Sequence, residues 1–577
     1  MNHATRTSRT PRKAHRMPSP FRFRFAPLAL ACFALPPAAP AQTIPNSGQI
    51  LQQVPPKPLD KPVAPPGLVI ESPTSNTAED ATPFAVTHLQ VEGNTIFDNA
   101  TLHALVADGE GKTQTLTRFN ALAQRITDYY HAHGYPLARA LVPAQTLSGG
   151  TVRLKVVEAR YDQIELTNQS RVGDGLLRAT LAPLHSGEIV TQSTLDTRLL
   201  LLGDLPGVEP HATLRPGTEP GTSTLDVQAD AEPTLQGQLV ADTAGSRYTG
   251  RLRVGAYLDI NNPMRRGDQL SLDTLTSGHG LRYGRLGYQF TLNGHGTRLG
   301  AAYSMLAYAL GGPLDALDAL DAHGTARVSS AWLTQPLVRT RDSRLDVRLQ
   351  FDHKQLRDSI DSTALRNDRN SNHWTASVVS QHGDDWAGGG LTSASLSLGH
   401  GRLGFADAAA AAADAATTRT QGSYTHWNAS LARLQNLSAD TRVYVSLSGQ
   451  HSNRNLDSSE QFLLGGSNSV RGYDVSSLAG ASGWLGTVEL RHDLPFDCAG
   501  RCEGSLFVDH GSLRVNADPW TAGRNQFDLD GVGIGFSWVG TRHWQAQVQL
   551  ATPVGATPTL LGKRSSARAW LQVVRAF

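Results

Sequence analysis

The sequence predicts a membrane all-β fold: a 16-stranded outer-membrane β-barrel preceded by two small periplasmic α+β domains. Three observations predict it. From about residue 235 onward, apolar residues alternate with small or charged ones at a period of two. Before that tract, two tandem segments share the order β-α-α-β-β. The chain opens on a basic and then apolar targeting segment, and it closes on Phe577, as outer-membrane barrels often do.

The targeting segment is residues 1–41. Arg6, Arg9, Arg12, Lys13, Arg16, Arg22 and Arg24 come with no acid, residues 26–35 are apolar, and Ala39-Pro40-Ala41 is a small-x-small cleavage signal before Gln42. The basic region is long, so Met17 stands beside Met1 as a start. Cys32 lies in the apolar core, where Ala29-Leu30-Ala31 makes a poor lipobox. Cleavage leaves only Cys498 and Cys502. An exported chain meets an oxidising compartment, so these two are expected as a disulfide. A metal pair is the alternative, and no second pair or nearby His cluster completes such a site. No apolar run reaches the roughly eighteen residues of a spanning helix. The net charge of +2 gives no electrostatic case for a nucleic-acid partner.

Residues 42–83 read as a linker: one or two helical turns over 46–53, then PPKPLDKPVAPP (55–66) as extended polyproline. Residues 84–160 form the first α+β domain. Val86, Leu89 and Val91 mark a strand, and 102–106 a short helix. Leu116, Phe119, Leu122, Ala123, Ile126 and Tyr130 recur at helical spacing, with Thr117 as expected cap and Gly134 as terminator. Strands follow over 137–142 and 152–157. Residues 161–233 repeat this order, with strands over 164–166, 208–214 and 223–229 and helices over 175–181 and 191–202.

Residues 234–577 are the barrel. Leu345, Val347, Leu349 and Phe351 alternate with Arg344, Asp346, Arg348 and Gln350, and Val532, Ile534 and Phe536 alternate with glycines. A soluble sandwich also alternates. Persistence over about 340 residues decides for the barrel, and roughly twenty-one residues per strand and connection gives about sixteen strands. Arg251, Arg253, Arg344, Asp346 and Arg348 are expected as solvated lumen lining. The alanine-rich run 406–416 has helix propensity, but between barrel strands a mobile surface loop is expected.

One stretch interrupts the alternation. Residues 456–473 read LDSSEQFLLGGSNSVRGY, within a long loop (456–483) expected to fold into the lumen. Leu506 and Val508 should face lipid, which turns Phe507 and Asp509 inward. Arg471 is a suitable partner for that carboxylate, since guanidinium binds carboxylate bidentately. Gly472 permits a tight backbone and Tyr473 supplies an amphipathic wedge. The alternative is that Arg471 caps a surface turn and Asp509 is solvated.

Several motifs in order carry a resemblance: His133-Gly134-Tyr135 with Val142-Pro143-Ala144-Gln145 and Glu158, LLLLGDLPG at 199–207, Asn261-Asn262-Pro263 with Gly267-Asp268, VRGY at 470–473, ELRHDLP at 489–495 and FVDHG at 507–511. The chain resembles the outer-membrane transporters of two-partner secretion, the haemolysin and haemagglutinin secretion/activation proteins called TpsB. The resemblance implies two POTRA domains over 84–160 and 161–233. It implies a lumen-loop lock of Val470, Arg471, Gly472 and Tyr473 with Phe507, Asp509 and Gly511. It implies capture of an unfolded, β-helical TpsA-type exoprotein by strand addition, around Tyr135, Leu137, Val142 and Gln145, and ATP-free passage to the cell surface. Outer-membrane lipid, lipopolysaccharide and the barrel-assembly machinery are the other implied partners. An assembly insertase of the same superfamily is the alternative function. Family members carry a pore-plugging helix before the linker. Residues 46–53 look too short to span a barrel at about 1.5 Å per residue, and the plug is left open. No nucleotide motif appears, residues 480–484 fail the nucleophile elbow at their last position, and His131 and His133 lack ligand spacing. No enzyme, cofactor or metal is expected.

Overall fold

The computed structural model describes residues 45–55, 68–70, 83–146, 149–311, 320–496, 498–556, 558–561 and 566–577. The targeting segment and most of the proline run lie outside the described residues.

The first α+β domain packs the helix Leu116–Ala132 on a sheet of His88–Glu92, Thr151–Val157 and Arg139–Leu141, with Thr151–Val157 central. The expected periodic residues Phe119, Leu122, Ala123, Ile126 and Tyr130 are its buried face. Thr115, not Thr117, caps this helix, accepting the amide of Arg118 at 3.4 Å. A cap must precede the first turn, and Thr117 already lies within it. Gly134 follows the helix at φ +86°, as a C-terminal glycine should. An added two-stranded sheet joins Phe84–Val86 to Lys112–Gln114. Glu158 staples this domain together. Its carboxylate accepts the amides of Thr95 and Ile96 at 2.7 and 2.9 Å, the Tyr130 hydroxyl at 2.7 Å and the Thr95 hydroxyl.

The second domain has the helices Asp174–Leu181 and Gln192–Gly203 over the strands Arg160–Asn168, Val208–Pro216 and Thr222–Ala231. Its sheet holds a fourth strand that comes from the linker. Leu68–Ile70 pairs in parallel with Val208–Pro216, Leu68 opposite Ala212. Three residues flanked by prolines and polar residues carry no readable period, so this strand has no sequence signal.

Sixteen strands then close into an antiparallel barrel, as the alternation predicts. The first, Leu235–Asp242, pairs with the last, Arg568–Ala576, and Phe577 exchanges hydrogen bonds with Gly237 at 2.9 and 3.0 Å. The strands between residues 322 and 384 are 18 to 20 residues long, about twice what a bilayer needs, so they continue beyond the membrane. The motifs at 199–207 and 261–268 meet where the second domain joins the barrel. Asn262 donates its side-chain amide to the Pro206 carbonyl, and buried Asp268 closes the hairpin by accepting the amides of Met264 and Arg266 at 3.0 and 2.9 Å. Arg339 adds a bidentate contact to Asp204, both bonds 2.9 Å.

Two further expectations are corrected. Residues 408–416 form an ordered helix, Ala408–Ala416. Asp407 caps its start and buried Asp414 accepts the amides of Thr420 and Gln421 at 3.0 and 2.9 Å. These two acids hold the helix start and the turn after it through backbone amides. The lumen charges are not mere solvated lining either. Arg253 is buried against Asp242 at 2.9 Å, Arg251 pairs with Asp474 at 2.8 Å, and Arg348 lies over Trp332 at 4.8 Å.

Candidate functional site: a loop anchored inside the barrel

The strand Thr441–Ser452 does not turn directly into its neighbour Ser482–Asp493. Residues 453–481 fold back inside the barrel between them, stiffened by a small hairpin of Phe462–Leu464 and Leu478–Gly480. Leu464, Val470, Tyr473 and Leu478 of this loop form a buried cluster with Leu513, Phe527 and Leu529 of the wall.

Arg471 is at the tip. Leu506 and Val508 are 58% and 55% exposed on the outer face, while Phe507 and Asp509 are 3% and 0% exposed within. The Arg471 guanidinium donates to both oxygens of Asp509, at 2.8 Å from Nε and 2.7 Å from Nη2, and its backbone amide adds a third bond at 3.1 Å. Nη1 reaches Glu489 at 2.8 Å, and the Phe507 ring lies 3.2 Å from the guanidinium carbon. The Thr487 hydroxyl donates to Asp509 at 3.0 Å, and the Trp570 indole donates to the Arg471 carbonyl at 2.9 Å. A Cβ on Gly472 would stand 2.8 Å from the Pro553 nitrogen, and one on Gly511 would meet Leu464 at 2.8 Å. A side chain at 472 would push the loop from the wall backbone, and one at 511 would displace the Leu464 side chain.

Glu489, Thr487 and Trp570 escaped the sequence reading as partners. The signal for Glu489 was available, because Val488 and Leu490 flank it as Leu506 and Val508 flank Phe507. Trp570 had none, since its contact is to a backbone carbonyl.

A second anchor holds the start of the loop. Arg369 joins Asp457 of the loop to Asp358 of the wall, the latter at 2.5 Å. Lys354 meets Glu460 at 2.7 Å. The helix Ser47–Gln52 lies against this anchor, inside the barrel at the end remote from the α+β domains. Ser47 donates to Asp358 at 2.7 and 2.9 Å, and Arg253 donates to the Gln53 carbonyl at 2.8 Å. Ile50 is fully buried among Leu275, Leu306, Tyr308 and Leu356. The short helix therefore sits in the lumen without spanning it.

The four candidate substrate residues do not form an open sheet edge. Tyr135 packs in an aromatic cluster with Phe97 and Tyr130. Leu137 packs on the second domain's core and Val142 on the first. Gln145 exchanges two hydrogen bonds with the Arg153 backbone at 2.9 and 3.0 Å. The outer amide of Ala140 is taken by Thr127 at 3.0 Å. Cys498 and Cys502 are joined in a disulfide, with Cα atoms 6.4 Å apart, which ties Cys498 just before the strand Gly500–Arg514 to Cys502 within it, the strand that also carries Asp509.

The haemolysin secretion/activation protein ShlB/FhaC/HecB family model matches residues 221–538, more than half of the chain. The chain belongs to this family. A ShlB-type POTRA domain matches residues 84–159. The heme/hemopexin transporter protein HuxB of Haemophilus influenzae (strain 86-028NP) is 26% identical over 472 residues, 81% of this chain and 82% of that protein. The outer membrane transporter CdiB of Dickeya dadantii is 23% identical over 69% of this chain and 71% of its own length. Among solved structures, CdiB from Escherichia coli superposes with a TM-score of 0.65 at 20% identity, covering 88% of this chain and 93% of that one. BamA from Haemophilus ducreyi, lacking POTRA domains 1–3, follows at 0.52 and 14% identity over 86% of this chain and 100% of that one, a likeness of fold alone. The barrel is thus an outer-membrane barrel of the two-partner secretion family, and its POTRA domains face the periplasm.

Proposed function

We propose that this chain is the outer-membrane pore for one partner exoprotein, captured unfolded in the periplasm and passed to the cell surface without ATP. The observation that carries this reading is the combination of two POTRA domains with a barrel whose lumen holds an Arg471-anchored loop and a short helix. A passive porin has use for neither. Capture is by strand exchange. Sheet edges take extended peptides through backbone hydrogen bonds with little demand on sequence. The Val208–Pro216 edge is such a surface, and among the described residues the three residues Leu68–Ile70 cover it. The exoprotein takes their place. The reading assigns the chain no enzymatic step. Outer-membrane lipid and lipopolysaccharide surround the barrel in this account, and the barrel-assembly machinery inserts it.

Deleting the gene tests the reading. One exoprotein should vanish from the medium or cell surface while other barrels stay at normal levels. General loss of outer-membrane barrels would overturn it in favour of an assembly insertase.

A further inference from the structure

We propose that His373, His426 and Glu460 form a binding site for a divalent transition-metal ion of the zinc class, tying the inserted loop to the barrel wall. The two histidines carry no ligand spacing in the sequence, being 53 positions apart. The barrel brings them together.

His373 lies on the strand Leu365–Asp384 and His426 on Gly422–Asn436, with Gly390–Phe405 between them. On that middle strand the residues opposite are glycines: Gly401 faces His373 and Gly399 faces His426. A Cβ at 399 would stand 2.6 Å from His373 Nε2 and 2.9 Å from His426 Nε2. The missing side chain lets both imidazoles lean over the middle strand, their ring centroids 5.2 Å apart. Glu460 reaches them from the loop. Its Oε2 is 3.2 Å from His373 Nδ1 and 3.7 Å from His426 Nε2. One ligand atom from each of the three residues lies within 4.8 Å of the others. Zinc bonds of 2.0–2.2 Å in a tetrahedron separate ligand atoms by roughly 3.3 Å, and the 3.2 and 3.7 Å distances from Glu460 Oε2 bracket that value.

Burial points the same way. All three residues are buried, and His426 Nε2, aimed at Glu460, has no hydrogen-bond partner among the described residues. A buried ring nitrogen without a partner is costly, and a metal ion satisfies it. Its other nitrogen, Nδ1, lies 3.2 Å from the Asn428 amide. A metal-bound imidazole has its second nitrogen oriented by such a neighbour, and turning over the amide supplies the required acceptor. Lys354 and the Tyr424 hydroxyl donate to the other Glu460 oxygen, Oε1, at 2.7 and 3.1 Å, and that hydroxyl, also 3.1 Å from His373 Nδ1, yields this nitrogen to the ion. The carboxylates Asp358, Asp457 and Glu460 outnumber Lys354 and Arg369 around the site. Two imidazoles and one carboxylate suit zinc-class ions rather than calcium or magnesium. Water completes the coordination.

An ion here fixes the start of the loop to two wall strands, independently of Arg471 at its tip. The inference stands on the site's geometry, not on the transport reading. The test uses full-length protein in detergent, without a polyhistidine tag and stripped by a chelator. Zn²⁺ titration calorimetry should find one site that weakens at least 100-fold in His426→Ala and Glu460→Gln. Co²⁺ should give tetrahedral absorption bands in the unaltered protein that are lost in both variants. Heat-modifiable migration on gels checks that each variant is a folded barrel. His103→Ala removes the half-exposed His88–His103–Glu110 cluster and should leave the site intact. The absence of Zn²⁺ binding to the unaltered protein, or binding lost in His103→Ala and kept in His426→Ala, would overturn the proposal.

Discussion

Gln52 of the N-terminal helix donates its side-chain amide to the backbone carbonyl of Ser458 in the inserted loop at 2.7 Å, across 406 residues of sequence. Ser458 in turn donates its hydroxyl to Asn46, the helix cap, at 2.6 Å. Helix and loop are therefore one assembly within the lumen, and whatever displaces one loosens the other.

Gly48 is where that assembly is tightest. A Cβ there would stand 2.6 Å from the Ser459 amide nitrogen, so Gly48→Val drives the helix from the loop. Planar-bilayer recording should show a larger or longer-lived open state than the unaltered channel. An identical conductance would mean that the helix does not obstruct the pore.

The linker strand competes with cargo in the proposed mechanism. Replacing residues 68–70 by Gly-Ser-Gly removes strand propensity and the Leu68 contact with the second POTRA core. The exoprotein's secretion segment should bind the purified transporter several-fold more tightly, measured by surface plasmon resonance. Unchanged affinity would argue that Val208–Pro216 is not the docking edge.

The second POTRA domain is fixed to the barrel by a buried pair. Arg339 and Asp204 side chains are 11% and 7% exposed. Removing one partner of a buried pair strands the other, at a cost of about 3–5 kcal/mol. Arg339→Ala should raise protease cleavage near residues 231–235 at least tenfold. Replacing both residues by apolar ones of similar size should restore much of the resistance.

Glu158 gives the first POTRA domain an acid limit. Burial alone would raise its pKa. The hydrogen bonds from Thr95, Ile96 and Tyr130 outweigh that and hold the carboxyl below the ordinary range. A carboxyl lowered in the folded state contributes stability that is full above the unfolded value of about 4.3 and is lost as pH falls through the folded one. Hydrogen exchange at Thr95 and Ile96 in the full-length protein, corrected for intrinsic rates, should quicken over that window. Glu158→Gln should exchange faster at neutral pH and show little further acid dependence.

Much of this architecture is legible in the sequence because membrane strands must alternate. The period-two tract announces the barrel, and the same alternation at Leu506 and Val508 turns Asp509 inward toward Arg471. Other contacts are illegible for physical reasons. Leu68–Ile70 is too short to show a period. The approach of His373 to His426 depends on which strands become neighbours and on the glycines between them. Thr115 and Thr117 are equally good cap residues, and only the backbone decides between them. Asp407 and Asp414 act on backbone amides, which no residue pattern marks.

In the proposed mechanism Arg471 holds the loop in a working position through Asp509. The most direct test of that role is secretion of the partner exoprotein by cells carrying Arg471→Ala, Arg471→Lys or Asp509→Ala, with barrel folding checked by heat-modifiable migration. Both alanine variants should give folded barrels and at least a tenfold loss of secreted exoprotein. Arg471→Lys should rescue little, because lysine cannot bridge Asp509 and Glu489 with a planar fork. Secretion at the unaltered level from folded Arg471→Ala barrels would contradict that role.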